Sequence, residues 1–339
     1  MNPLALLIAL SFFGITAAAQ EEKPVPVTVE NFVRAESDLA FAKVVKGDGF
    51  GKFNHGRELS PLDNQLVARQ NRDTLYSTAV FDMNGGDVTI TLPDAGKRFM
   101  TLITIDEDHY VIEVVYGAGR HTYTREKAGT RYLFAAARTL VDPADPKDVQ
   151  EVHKLQDAIK VEQPGGPGRF EVPNWEPLSQ KKVRDALLVL NETLPDLRRA
   201  GGQRGEVDPV RHLIATASAW GLNPDKDAIY LNVTPKQNDG KTVYKLTVKD
   251  VPVDGFWSIS VYNAQGYFEP NEHNAYTLNN LTAKRGEDGS VTVQFGGYDG
   301  QTPNCLPVTP GWNYIVRLYR PRKEILDGSW KFPEAQPAR

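Results

Sequence analysis

Two blocks of short β-branched runs, set apart by a helical middle, constrain this chain more than any other feature. In the first block the candidate strands are Ala79–Met83, Val88–Leu92, Arg98–Ile105, Tyr110–Tyr116 and Arg131–Thr139. Asn84-Gly85-Gly86, Pro93-Asp94-Ala95-Gly96 and Gly117-Ala118-Gly119 supply turns between them. In the second block they are Ala228–Val233, Thr242–Val248, Phe256–Tyr262, Ser290–Phe295 and Tyr314–Arg320, with Glu287-Asp288-Gly289 as a hairpin turn. Short strands on short turns predict antiparallel sheets rather than a parallel sheet with crossover helices. The expected fold is therefore mainly β, with antiparallel sandwich or jelly-roll-like units joined by helices.

Helical spacing marks Thr28 to Lys46, with Thr28 as the cap. Asp145-Pro146 opens a helix toward Ile159, Ser179 to Leu190 forms a second, and Asp208-Pro209 opens a third that stops at Gly221. Gly47 to Lys52 has glycines like a phosphate loop, but Phe53 follows the lysine and no apolar strand precedes it. It reads as a flexible loop. Boundaries fall at 20–165 for a helix plus β unit, 166–225 for a helical link, 226–330 for the second β unit and 331–339 for a surface tail.

The first nineteen residues carry no charged side chain, run apolar from Leu4 to Ile15 and end in Ala17-Ala18-Ala19. They predict a signal peptide, 1–19, and a periplasmic or secreted protein with no membrane span after cleavage. The run is shorter than the roughly 20 apolar residues a span needs. Lys and Arg number 39 against 43 Asp and Glu, a net charge of −4, which argues against a nucleic-acid partner. Cys305 is the only cysteine, so no internal disulfide and no thiolate zinc cluster is expected.

Gln70-Asn71-Arg72-Asp73-Thr74-Leu75-Tyr76-Ser77, Pro93-Asp94 and Gly129-Thr130-Arg131-Tyr132 resemble the bacterial domain-of-unknown-function family numbered 1254. Asp254 to Tyr262, Asn304-Cys305-Leu306-Pro307, Arg317 to Pro321 and Leu326 to Trp330 resemble its usual partner, numbered 1214. The resemblance spans nearly all of the mature chain. It implies two β-rich units with helices between them, and no settled reaction. In some members the position of Cys305 is Trp, which weakens any catalytic role for that thiol.

The densest polar run holds Arg69, Asn71, Arg72, Asp73 and Tyr76. Arginine forks suit carboxylate or phosphate, and Asp73 could accept from them or act as a base. In an extended segment Arg72 and Asp73 point apart, so the run either grips a ligand or fixes the strand through separate structural partners. Asp106-Glu107-Asp108-His109 ends a strand; Asp108 and His109 could share acid–base work or, with Asp106, hold a divalent cation. The same residues also suit a polar hairpin loop. Tyr267 and Phe268, in a loop, are candidate platforms for a ligand ring. The catalytic candidates are thus Asp73, Asp108 and His109, and the binding candidates Arg69, Asn71, Arg72, Tyr76, Tyr267 and Phe268. No glycine fingerprint points to a nucleotide cofactor, and the metal question stays open. Two functions remain: an enzyme acting on or binding a polar substrate such as an envelope saccharide, and a non-catalytic binding or assembly protein of the envelope that buries exposed patches against another subunit.

Overall fold

The computed structural model describes residues 23–65 and 68–338; the expected signal peptide lies outside them. The helices are α1 (Phe32–Lys46), α2 (Arg125–Ala128), α3 (Pro146–Asp157), α4 (Pro177–Asn191), α5 (Pro209–Ser218) and α6 (Lys323–Leu326). The strands of the first half are β1 (Asn54–His55), β2 (Thr74–Asp82), β3 (Val88–Leu92), β4 (Met100–Asp106), β5 (Val111–Tyr116), β6 (Gly119–Tyr123), β7 (Tyr132–Leu140) and β8 (Lys160–Glu162). Those of the second are β9 (Ala228–Val233), β10 (Tyr244–Val248), β11 (Trp257–Tyr262), β12 (Thr277–Asn279), β13 (Val291–Phe295), β14 (Cys305–Leu306), β15 (Asn313–Tyr319) and β16 (Gln336–Pro337). No described helix is long and apolar enough to cross a membrane.

The mainly β expectation holds. In the first unit a five-stranded sheet, β1-β2-β7-β4-β5, lies against a three-stranded one, β6-β3-β8. Ala79, Phe81, Ile90, Leu102 and Leu133 fill the space between them. The opposite face of the larger sheet meets α1 through Phe41, Val80, Ile103 and Phe134. The second unit is a sandwich of β12-β11-β15-β9 on β14-β13-β10-β16. Its core holds Trp257, Ile259, Val293, Phe295, Trp312, Tyr314 and Val316. All strand pairs are antiparallel except the short β13–β14 pair.

The helix starts follow from side-chain caps. Asp145 accepts from Lys147 N at 2.9 Å and Asp208 from Val210 and Arg211 N at 3.0 Å, each ahead of a proline at the first turn. Glu176 does the same for Leu178 and Ser179, so α4 starts earlier than Ser179. α1 starts at Phe32, not Thr28, because Asn31 Oδ1 accepts from Thr28 N and holds that turn outside the helix.

Three segments differ from expectation. The Gly47–Lys52 stretch is tied to β2: Val80 N donates to Gly49 O and Gly51 N to Val80 O. A Cβ at Gly49 would come within 2.6 Å of the Val44 side chain, so this approach needs glycine. β2 begins at Thr74 rather than Ala79, since Thr74 to Thr78 pair with Ala136 to Leu140. The end of the chain is no loose tail. Phe332 and Ala335 are buried in the second core, and Gln336 pairs with Lys245.

Candidate functional site

β11 reads Trp-Ser-Ile-Ser-Val-Tyr, an alternation that normally places the serines in water. Here every residue of β11 and β15 is buried. The apolar set faces the sandwich core, while the polar set is covered by the first unit. Across the strands the polar face runs Asn279, Ser258, Arg317, Tyr230 in one row and Thr277, Ser260 in the next. This buried polar seam is the candidate site.

The first unit brings its own polar groups to the seam. Asp73, fully buried just ahead of β2, accepts on Oδ1 from Thr277 Oγ1 and Asn279 Nδ2, both at 3.1 Å. Its Oδ2 is buried and has no partner. Asn71 Nδ2 donates to the Tyr319 phenol at 2.8 Å, and Asn71 Oδ1 accepts from Asp73 N. Arg138 in β7 stands across from Tyr76 in β2, its guanidinium 5.4 Å from the Tyr76 ring centroid. Arg138 Nε, Thr74 Oγ1 and Ser258 Oγ are likewise buried without partners.

Arg317 is the tie between the units. It donates to Ser260 Oγ and Tyr262 OH within its own sheet, and to the carbonyl oxygens of Arg69 and Gln70 across the seam. Burial opposes its charge, yet Tyr262, Tyr319 and Asp73 hold its pKa above the ordinary guanidinium value. Burial also pushes the Tyr262 and Tyr319 phenols up, so both stay neutral donors and acceptors.

A cleft of about 770 Å³ opens between the units beside the seam. Phe99, Tyr116, Leu140 and Asn280 line it, and Arg320 lies over the Tyr116 ring at 4.7 Å. Phe99 packs on Phe256 and Tyr319, with centroids at 5.0 and 5.5 Å. This aromatic group stands between the cleft and the polar groups behind Tyr319.

Of the residues singled out from sequence, Asn71, Asp73 and Tyr76 meet in the seam. Arg69 sits at its edge, donating to Asn313 Oδ1 at 3.1 Å. Arg72 turns away, as its place next to Asp73 predicted. It donates to the Ser60 carbonyl and lies 5.9 and 5.6 Å from the Phe268 and Tyr276 rings. Phe268 is buried against Tyr262, so it offers no open ring to a ligand. Tyr267 is half-buried in the same loop.

Asp108 and His109 lie at the other end of the sheet. Asp106 pairs with Leu133 and Tyr76 with Arg138, five residues further along β7, about 16 Å away. Asp108 is bound by Arg34 at 2.6 Å and Arg204 at 3.0 Å. His109 accepts on Nε2 from Gly221 N and meets Thr216 Oγ1 through Nδ1. Burial lowers its pKa to about 3, so the ring is neutral and has no free nitrogen. Asp106, buried among these groups, is pushed up to about 6. Among the described residues no set of three His, Cys, Asp or Glu side chains is arranged to hold a metal ion. Cys305 is buried against Gln294 and the Gly296 carbonyl.

Sequence reasoning missed Arg138, Ser258, Thr277, Asn279 and Arg317 as members of one cluster. For Ser258, Thr277, Asn279 and Arg317 the signal was a polar set on strands that the second unit would otherwise have turned to water, whereas Arg138 stands on β7 of the first unit and had none.

Similar proteins agree on the fold and name no activity. The chain resembles the crystal structure of the VPA0106 protein from Vibrio parahaemolyticus at 17% identity and a TM-score of 0.71, over 91% of this chain and 98% of that one. An uncharacterized protein from Burkholderia cenocepacia is similar at 12% identity and a TM-score of 0.50, over 86% and 84%. No curated protein matches the chain. Residues 50–133 match the family model described as a protein of unknown function, DUF1254, and residues 228–323 the one described as a protein of unknown function, DUF1214. The chain thus matches DUF1254 and then DUF1214, and the polar seam joins Asn71, Asp73 and Tyr76 of the first matched segment to Ser258, Thr277, Asn279 and Arg317 of the second, with Arg138 just beyond the first.

Proposed function

We propose that this is an exported protein whose seam binds a small hydroxyl-rich ligand, such as an envelope saccharide or a fragment of one. The observation that carries the reading is Asp73, a fully buried carboxylate with two donors on one oxygen and none on the other. An enclosed carboxylate oxygen without a partner is costly, and such atoms are normally met by ordered water or a ligand. Ser258 Oγ and Arg138 Nε lack partners in the same seam, so the atoms offered to a ligand there include a donor as well as acceptors. Sugar hydroxyls do both. Asp73 is also the group able to take a proton from a bound hydroxyl, which would give the site acid–base chemistry.

The test is a thermal-shift screen of the mature protein against envelope saccharides and divalent cations, with and without a chelator. A compound that binds only the folded state raises the melting temperature. The reading expects a saccharide to do so in the wild type and not in Asp73→Asn. No response to any compound would sink it.

A second reading, self-assembly, draws on apolar side chains exposed on the helices. Leu178 is 78%, Val189 64% and Val210 63% exposed. Light scattering at several concentrations decides it; a monomer throughout removes it.

A further inference from the structure

The seam contains two guanidiniums whose surroundings differ. Arg317 reaches four acceptors, as described above. Arg138 has the Tyr230 phenol as a hydrogen-bond partner, and its Nε is buried and unpartnered. It stands on β7 between Tyr76 on one neighbouring strand and Thr101 on the other. The phenols of Tyr76, Tyr230 and Tyr319 surround it. These are dipoles, not counter-charges: burial holds the Tyr319 proton on far above the ordinary phenol range.

The charge inventory is unequal. Among the described residues, neither Arg138 nor Arg317 forms an ion pair with a carboxylate within 4.0 Å. Asp73 is the one carboxylate bonded into the seam, and its field acts on Arg317. Asp227, at the edge, is bonded to the Tyr116 phenol and faces Lys226 and Arg320 instead. One carboxylate against two guanidiniums leaves an excess positive charge in the seam. The Tyr76, Tyr230 and Tyr319 phenols favour the charged form of Arg138 against its burial, and an anion would favour it further. Arg138 is half-buried, as are Tyr76 and Tyr230, so this part of the seam keeps accessible surface.

Resting on the seam being a ligand site, we propose that its ligand carries a carboxylate that docks on Arg138. The bound species is then a small hydroxylated monoanion of the sugar-acid class. The guanidinium fork matches a carboxylate edge in geometry as well as charge. The hydroxyls of the same molecule fall to Asp73 and Ser258.

The experiment is thermal unfolding of the mature protein with D-glucuronate, D-gluconate and L-lactate, each set against D-glucose or glycerol at equal ionic strength. Wild type, Arg138→Met and Arg138→Lys are compared. At least one acid raises the wild-type melting temperature by roughly 3–6 °C near saturation, while its neutral counterpart does not. Arg138→Met loses that shift and Arg138→Lys keeps part of it. Without any probe, Arg138→Met lowers the melting temperature less than Arg317→Met does, because it gives up one phenol partner where Arg317 gives up four acceptors. A shift with the neutral compounds, equal in wild type and Arg138→Met, overturns the acidic ligand and leaves the seam as a ligand site. No shift with any probe overturns both.

Discussion

Asn279 donates its side-chain amide to Asp73 at 3.1 Å, a bond between residues 206 positions apart. Thr277 donates to the same oxygen. A residue of the segment that matches DUF1254 is thereby oriented by two from the segment that matches DUF1214, so in this chain the site is built by both segments together.

Replacing Asp73 separates orientation from charge. Asp73→Ala leaves the Asn279 amide buried without its acceptor, while Thr277 keeps the Ile259 carbonyl, and should cost about 1–3 kcal/mol of stability. Asp73→Asn keeps an acceptor oxygen in the same shape and should stay within about 1 kcal/mol of wild type. Urea unfolding measures both. Equal losses in the two variants would mean that these hydrogen bonds are not what holds the position.

Arg317 should behave as the strut that Arg138 is not. Arg317→Met takes the donor from the Arg69 carbonyl and Ser260 Oγ, while the Tyr262 phenol keeps the Gln70 carbonyl, and should lower stability by about 2–4 kcal/mol. Arg317→Lys should recover little, since one ammonium cannot span acceptors on both sides of the seam. A midpoint for Arg317→Lys close to wild type would contradict this geometry.

The contrast between these arginines explains what the sequence could and could not disclose. Val88–Leu92 and Ala228–Val233 were legible to the residue, because the first alternates apolar residues with threonine, the second is largely apolar, and turn residues bound both. β6 and β8 were not, because Gly-Arg-His-Thr-Tyr and Lys-Val-Glu become strands only by pairing with β3. Asn71, Asp73 and Tyr76 stood out as a dense polar run. Ser258, Arg317 and Arg138 did not, since period-two alternation marks a polar face without saying whether water or another unit covers it. Asp108 and His109 drew notice because polar residues at a strand end suit a site and a loop equally. Here they anchor the helical layer through Arg34, Arg204, Thr216 and Gly221.

That anchor carries the pH dependence. Asp38 is raised to about 6, chiefly by burial, with Glu107 and Asp108 adding to the rise and Trp175 and Arg34 opposing it. Its folded pKa lies above the unfolded value near 3.8, so the folded state binds the extra proton between about pH 4 and 6. Stability from this group therefore increases as the pH falls through that window. Asp38→Asn keeps an acceptor for Trp175 Nε1 and removes the penalty. It should be more stable than wild type at pH 7, by on the order of 1–3 kcal/mol, with the gain vanishing near pH 4. Denaturant midpoints from pH 4 to 8 measure this; a gain that does not vary with pH would refute the assignment to Asp38.

His109 has the opposite sign. Its folded pKa of about 3 lies below the ordinary 6.5, so the unfolded chain takes up the proton first and stability falls as the pH drops below about 6.5. Its ring is also packed between His212 and Trp220, with centroids at 5.2 and 5.3 Å. His109→Ala leaves the Gly221 N–H without its acceptor and opens a cavity, so a loss of about 2–4 kcal/mol at pH 7 is expected. The loss should shrink toward pH 4, where the wild-type ring no longer gains from staying neutral. At the seam, about 16 Å away along β7, the melting-temperature response to any seam ligand should be retained. Titrating such a ligand against His109→Ala and wild type measures this, and a lost response in a folded variant would return His109 to the binding site.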